Sequence, residues 1–409
     1  MGDQPDKLSE RALLRVLGLP LLILYGVGVT VGAGIFVMIG TVVGLAGPRA
    51  PLAFLIAAAI AGVTAVSYAT LSTGFPRAAG ASLYVKAAFG RLGGLPVGVG
   101  VAVTGIVSSA TIIVGFTGYV AELIAIPQFV TVLVAVAAIG LLVQRGVKES
   151  VGVAAVITVV EIGILIALVV AGVPELVSFE PWAVAFGTGS ALPVSGVLTA
   201  AVLAFFAFIG FEDIVNMAEE TVNPQRVMGK AILGTLAITT TFYVLLALIA
   251  VSVPDPAALA RSSAPLATMW TQLTGLSSTW LSAMALIAVI NGVIVQVIMA
   301  SRLLYGMARE NMMPALLAHV GARRTPFVAI WLVSLLIATL ALVFPIATLA
   351  RTTTTLTLLV FASVNLSLVV LGTREGTGLI HSRRWVGVLG FVLTCGLALR
   401  EFLVFLGAL

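Results

Sequence analysis

The chain has 409 residues, of which 60% are hydrophobic and 9% charged, with a formal net charge of +5 at pH 7, whereas an ordinary soluble domain carries about 25% charged residues. A mean hydropathy of +1.20 excludes a soluble globular protein and makes lipid the solvent for most of the surface. One cysteine, Cys395, and two histidines, His319 and His381, both in polar breaks beside arginines, exclude a disulfide framework and leave no metal or haem centre to be expected.

Measured against a membrane crossing of about 20 apolar residues, the chain divides into about eleven spans. Residues 1–19 form a charged segment with Lys7, Glu10, Arg11 and Arg15 and without the cleavage pattern of a signal peptide, so the first span is expected to stay. The spans fall near Pro20 to Leu45, Pro51 to Ser72, Gly94 to Leu123, Phe129 to Val143, Val151 to Val173, Val194 to Ile214, Ala231 to Val253, Leu276 to Ala300, Phe327 to Phe344, Leu356 to Leu371 and Val386 to Leu409. Of the 21 Lys and Arg residues, all but Arg49, Arg261, Arg351 and Arg400 then lie on the N-terminal side. The positive-inside rule places that side, and the N-terminus, in the cytoplasm, and the lack of a targeting segment gives the plasma (inner) membrane as the expected host. The basic balance thus reflects topology beside anionic headgroups, and nucleic acid is not a partner.

Two spans look interrupted. The first reads GVGVTVGAGIF from Gly26 to Phe36, with glycines at 26, 28, 32 and 34 where the membrane is deepest. The sixth reads AFFAFIGFED from Ala204 to Asp213, with Gly210 followed by two carboxylates. Irregular backbone inside a bilayer is tolerated only where protein or a water-filled cavity surrounds it, and interruptions at matching places in two halves point to a transporter's binding site. Free N–H groups opening a second half-helix attract a carboxylate, while free carbonyls closing a first half-helix attract an ammonium or a cation. The competing reading of the glycines is as notches for helix packing; it holds equal weight for Gly26 and Gly28.

Ionisable groups within spans are costly and mark functional candidates. Glu161, in VITVVEIGILIALVV, has no lysine or arginine between Glu149 and Gln225, so it is a candidate to bind and release a coupling proton, with a sodium site as the alternative. Glu212 and Asp213 suit the start of a half-helix, and Glu212 also suits a gate. Glu122 lies near an outer end.

Four runs carry a resemblance: GVGVTVGAGIF; FFAFIGFED with AEETVNPQR (Ala218 to Arg226); SRLLYGMARENMMP (Ser301 to Pro314); and GFPRAAGASLYVKAAFG (Gly74 to Gly90). In this order they resemble the amino acid/polyamine/organocation transporter superfamily, over most of the chain. The resemblance implies an all-α membrane protein with the five-plus-five inverted-repeat, LeuT-like fold and broken helices 1 and 6. Residues 20–173 would form the first repeat, 194–371 the second, inverted one, and 382–409 an additional C-terminal helix. It implies a substrate site along Thr30, Val31, Gly32, Ala33 and Gly34 with Phe205, Phe208, Ile209 and Gly210. Phe208 and Phe211 are candidates to cover or gate the substrate, with Glu212 as a further gate. In the family the position of Glu161, one turn after a threonine matching Thr158, is often lysine, so a lysine-based coupling mechanism does not transfer.

No GxxxxGK[ST], HExxH or GxSxG run occurs, which argues against an ATP-driven pump and an intramembrane enzyme. The expectation is a secondary active transporter without cofactors, proton-driven and carrying a neutral amino acid, in keeping with the apolar residues Phe205, Phe206, Phe208 and Ile209. An amino acid or polyamine exchanger is the alternative, and a channel a third reading. The sequence leaves oligomeric state open.

Overall fold

In the computed structural model, residues 15, 17–32, 34–76, 80–145, 151–178, 180–186, 194–309, 313–321, 325–375 and 378–405 are described. The apolar runs are helical, as they must be where no water is present to pair backbone N–H and C=O groups. In chain order they are α1 (Leu19–Val31), α2 (Gly34–Ala46), α3 (Ala50–Gly74), α4 (Gly80–Phe89), α5 (Arg91–Leu123), α6 (Gln128–Gln144), α7 (Val151–Ala171), α8 (Val173–Val177), α9 (Glu180–Phe186), α10 (Val194–Phe206), α11 (Pro224–Ser252), α12 (Pro256–Arg261), α13 (Pro265–Thr274), α14 (Thr279–Arg309), α15 (Phe327–Val343), α16 (Ile346–Glu375), α17 (Gly378–Ser382) and α18 (Arg384–Phe405). Proline opens several of them, at Pro20, Pro51, Pro224, Pro256 and Pro265, where its missing N–H costs nothing. Among the described residues there is no sheet. A single bridge pairs Leu17 with Thr221, tying the start of α1 to the segment before α11.

Among the described residues, seven segments are candidate membrane spans by length and composition, and four shorter apolar helices, Leu19–Val31, Gln128–Gln144, Val156–Ala171 and Phe327–Val343, accompany them. One of the seven, Gly34–Gly74, joins α2 to α3 through a 3-10 turn at Gly47–Arg49. Its 41 residues would measure about 60 Å if straight, twice a hydrocarbon core, and the turn divides it.

Several helices reach beyond the bounds read from sequence, α14 and α16 the furthest. Helix α14 continues to Arg309, so most of the SRLLYGMAR run is helical. Helix α16 starts at Ile346, ten residues before the expected Leu356. Its polar opening, Arg351 to Thr355, stays helical because Thr352, Thr353 and Thr355 each return a hydroxyl proton to the carbonyl four residues back, at 2.9 Å, hiding a donor that lipid could not satisfy.

Helix α18 lies along α16, with Gly387 and Gly390 over Asn365: a Cβ at Gly387 would come 2.7 Å from the Asn365 carbonyl. At its far end Glu401, 4% exposed, accepts from Arg351 of α16 at 2.8 Å and from Arg400 at 2.5 Å. Arg400 also donates to Thr199 of α10 at 2.7 Å, and Thr354 of α16 donates to the Val202 carbonyl at 3.2 Å. Arg351, Arg400 and Glu401 are therefore parts of one buried ion group that fastens α16 and α18 to α10. The sequence reading did not single out Glu401.

Candidate functional site

Helix α1 stops where the glycine run predicts. Gly32 donates its N–H to the Gly28 carbonyl at 3.1 Å, and its own backbone (φ 8°, ψ −118°) leaves the helix. Helix resumes at Gly34; Ala33 lies outside the described residues. A helix start leaves its first N–H groups without intrahelical partners, and here they belong to a buried segment, Gly34, Ile35 and Phe36. Gly26 and Gly28 do serve as notches. A Cβ on Gly26 would strike Ile214 and Thr235, and one on Gly28 would overlap the Thr158 hydroxyl.

Helix α10 ends at Phe206, and the chain turns through Gly210 into a 3-10 helix, Phe211–Met217. The turn satisfies its own backbone with three-residue bonds, Ala207 to Ala204, Phe208 to Phe205 and Ile209 to Phe206, at 2.9–3.3 Å. Gly210 takes φ +126°, a conformation open to glycine. Its N–H is held by the Glu212 carboxylate at 2.8 Å, so Glu212 caps the interruption. Asp213 instead accepts from Asn216 at 3.4 Å.

The two interruptions touch through their glycines. A Cβ on Gly210 would stand 2.8 Å from the Val29 carbonyl, and one on Gly34 would stand 2.5 Å from the Ala207 Cα. Tyr243 of α11, fully buried, completes the junction: its hydroxyl reaches the Ala207 carbonyl at 2.8 Å and the Thr30 carbonyl at 3.0 Å. One proton is thus shared between the ends of both interrupted helices. Phe208 stacks edge-on against Tyr243, with centroids 5.0 Å apart. Thr30 turns its own hydroxyl back to Gly26.

Beside this junction stands Glu161 of α7, with no exposure to solvent and no hydrogen-bond partner for either carboxyl oxygen among the described residues. Thr158, one turn earlier, lies over Gly28 of α1, and Glu161 is within electrostatic range of the Tyr243 hydroxyl.

A cavity of about 40 Å³ opens between the junction and helices α5 and α14. That is room for a few waters. Its lining includes Thr30, Gly34 and Ile209 from the residues expected by sequence. Val31, Gly32 and Gly210 belong to the interruptions but not to the lining, and neither Phe205 nor Phe208 lines it. Phe206, named with them in the apolar run, does line it. Phe205 and Phe211 both lie against Phe361 of α16, and Phe211 also against Tyr68, buried in an aromatic cluster. The opposite wall, Ser108 and Ile112 of α5 with Asn291, Gly292, Val295 and Gln296 of α14, was not anticipated. The available signal was two amides, Asn291 and Gln296, inside an apolar span. Among the described residues no group of three or more His, Cys, Asp or Glu could hold a metal ion.

The sequence profile of the amino acid permease family matches residues 22–404, a range that holds both interruptions and every wall of the cavity. The chain belongs to the amino acid permease family. A branched-chain amino acid permease of Bacillus subtilis is 28% identical over 397 residues, covering 90% of this chain and 83% of the relative. The chloroplastic cationic amino acid transporter 9 of Arabidopsis thaliana is 30% identical over 338 residues, 76% of this chain and 58% of that protein. A methylthioribose transporter of Bacillus subtilis is 27% identical over 392 residues, 89% and 82% of the two chains. This permease is accordingly an integral membrane protein of a transporter family, and membership supports amino acid transport.

Proposed function

We propose that this permease is a secondary active transporter that carries neutral amino acids across the plasma (inner) membrane by alternating access, in symport with protons. The observation that carries the reading is the junction of two interrupted helices, joined at Gly34, Gly210 and Tyr243 beside a cavity. In the fold we infer, residues 20–173 and 194–371 are inverted five-helix repeats and 382–409 an added helix, about eleven crossings in all. The N-terminus lies in the cytoplasm, a placement supported by the distribution of Lys and Arg.

The substrate's carboxylate binds the N–H groups that open α2, and its ammonium binds the carbonyls that close α1. Glu212 supports this polarity. It already occupies the Gly210 N–H, so a second anion is repelled from that end and drawn to Gly34. Thr30, Val31, Gly32, Ala33 and Gly34 form one side of the site and Ile209 and Gly210 the other. Phe205 and Phe208 support that side from behind, while Phe211 and Glu212 gate the path toward the 3-10 helix. Relatives named for branched-chain and cationic amino acids support an amino acid as the cargo.

Glu161, with Thr158, couples transport to the proton. An isolated buried carboxylate costs several kcal/mol in a bilayer and far less as the neutral acid, so its charge is tolerated only when water reaches it. Opening to one side at a time then lets it release the proton there. No cofactor is needed beyond the gradient.

The test is uptake of a labelled panel of amino acids and polyamines into proteoliposomes, with and without an inward proton gradient, for wild type and Glu161→Gln. Accumulation that needs the gradient in the wild type and is lost in Glu161→Gln is the expected result. Accumulation that ignores pH and requires internal substrate identifies an exchanger, and a requirement for sodium assigns the coupling to that ion; either removes the proton role.

A further inference from the structure

The cavity wall facing the junction is polar without being charged. Ser108, Asn291 and Gln296 line it, and among the described residues no Asp, Glu, Lys or Arg belongs to the lining. The Gln296 amide lies over Gly105 of α5, where a Cβ would come 2.8 Å from its oxygen. That oxygen is buried and has no hydrogen-bond partner among the described residues. The Thr104 hydroxyl, one turn before Ser108 on α5, is likewise buried and unpaired. A buried amide or hydroxyl without a partner is costly, and a ligand that supplies the partner is favoured over an isostere that does not.

Two features limit what can sit there. The absence of charge from the lining disfavours cationic and anionic side chains, whose desolvation would go uncompensated. The small volume, and the apolar neighbours Ile112, Phe206, Ile209 and Val295, suit a short side chain with one polar group beside a methyl or methylene. A branched aliphatic side chain would fill the same volume and leave the Gln296 amide oxygen without a partner.

We propose that the site selects small amino acids with uncharged, hydrogen-bonding side chains, preferring threonine to its apolar isostere valine, and that Gln296 sets this preference. The inference rests on the transport reading above and gives it a substrate class. It also separates this permease from the relatives named for branched-chain amino acids.

The test uses the full chain in proteoliposomes, with uptake of labelled threonine and labelled valine, each competed by unlabelled threonine, valine, asparagine and leucine. Threonine should compete at about tenfold lower concentration than valine, and asparagine likewise against leucine. Gln296→Met, close in volume but without the amide, should bring threonine and valine within about twofold of each other. Wild-type preference for valine, equal competition, or an undiminished gap in Gln296→Met overturns the inference. If Gln296→Met is not recovered folded, Gln296→Leu is measured against the same expectation, and the wild-type comparison decides in any case. Uptake of valine without threonine leaves the transport reading intact and defeats this one; no uptake or competition by any amino acid defeats the transport reading and this inference with it.

Discussion

Replacing Tyr243 by Phe removes one hydroxyl group from the centre of the molecule and leaves the ring in place. The ring stays against Phe208 at 5.0 Å and Phe54 at 5.9 Å, so packing is preserved. What is lost is the donor shared by the Ala207 and Thr30 carbonyls, at 2.8 and 3.0 Å. Both belong to helix ends with no further turn to satisfy them, and Tyr243 is fully buried, so water does not substitute freely. An unsatisfied buried acceptor costs about 1–3 kcal/mol, and since one proton serves two carbonyls the loss counts once. The same change loosens the link between the two interruptions, so the population of states with both correctly placed falls by about 5- to 150-fold if the whole cost is expressed there. The assay pairs thermal melting of the detergent-purified protein with initial uptake rate in proteoliposomes. Melting should fall and uptake should drop more steeply than the folded fraction does. A Tyr243→Phe protein with wild-type melting and wild-type uptake refutes the assignment of Tyr243 as the link between the helix ends.

Gly210→Ala places a side chain at φ +126° and 2.8 Å from the Val29 carbonyl; the backbone strain alone is about 1–3 kcal/mol, and melting with uptake should show loss of both. Glu401→Gln leaves Arg351 and Arg400 facing each other with their shared anion gone. Because Arg351 retains 32% side-chain exposure, the loss should be about 1–3 kcal/mol, below the 3–5 of a fully buried pair, read as a lower melting temperature. In a Cys395→Ala background, Ile209→Cys should react with a small maleimide, and a transported amino acid should slow that reaction, because Ile209 lines the cavity; a reaction rate indifferent to substrate removes Ile209 from the site.

Both interruptions were legible because irregular backbone leaves a residue-level trace. Gly32 and Gly34 stand where a helix should continue, and Gly210 takes a backbone angle that other residues avoid. Tyr243 left no such trace. It lies in an ordinary apolar helix, and its partners Thr30 and Ala207 are 213 and 36 residues away in sequence, so only the fold gives it a role. The same limit explains why, of the expected Phe205, Phe206, Phe208 and Ile209, only Phe206 and Ile209 line the cavity. In the run Ala204 to Ile209 every residue is apolar, so periodicity does not show which face meets the site. The early start of α16 was hidden for another reason: Arg351 and four threonines look like a loop until each hydroxyl is seen to have a carbonyl within its own helix or, for Thr354, on α10. Glu401 was not singled out because its partner Arg351 lies 50 residues away in sequence, so only the fold shows the ion group they share.

The most direct measurement is an experimental structure of the permease with a transported amino acid bound. The account predicts the ligand between the two interruptions, its carboxylate on the N–H groups beginning at Gly34, its ammonium toward the carbonyls that close α1, and its side chain toward Ser108, Asn291 and Gln296. A ligand found elsewhere, or bound there with its carboxylate turned toward Glu212, contradicts it.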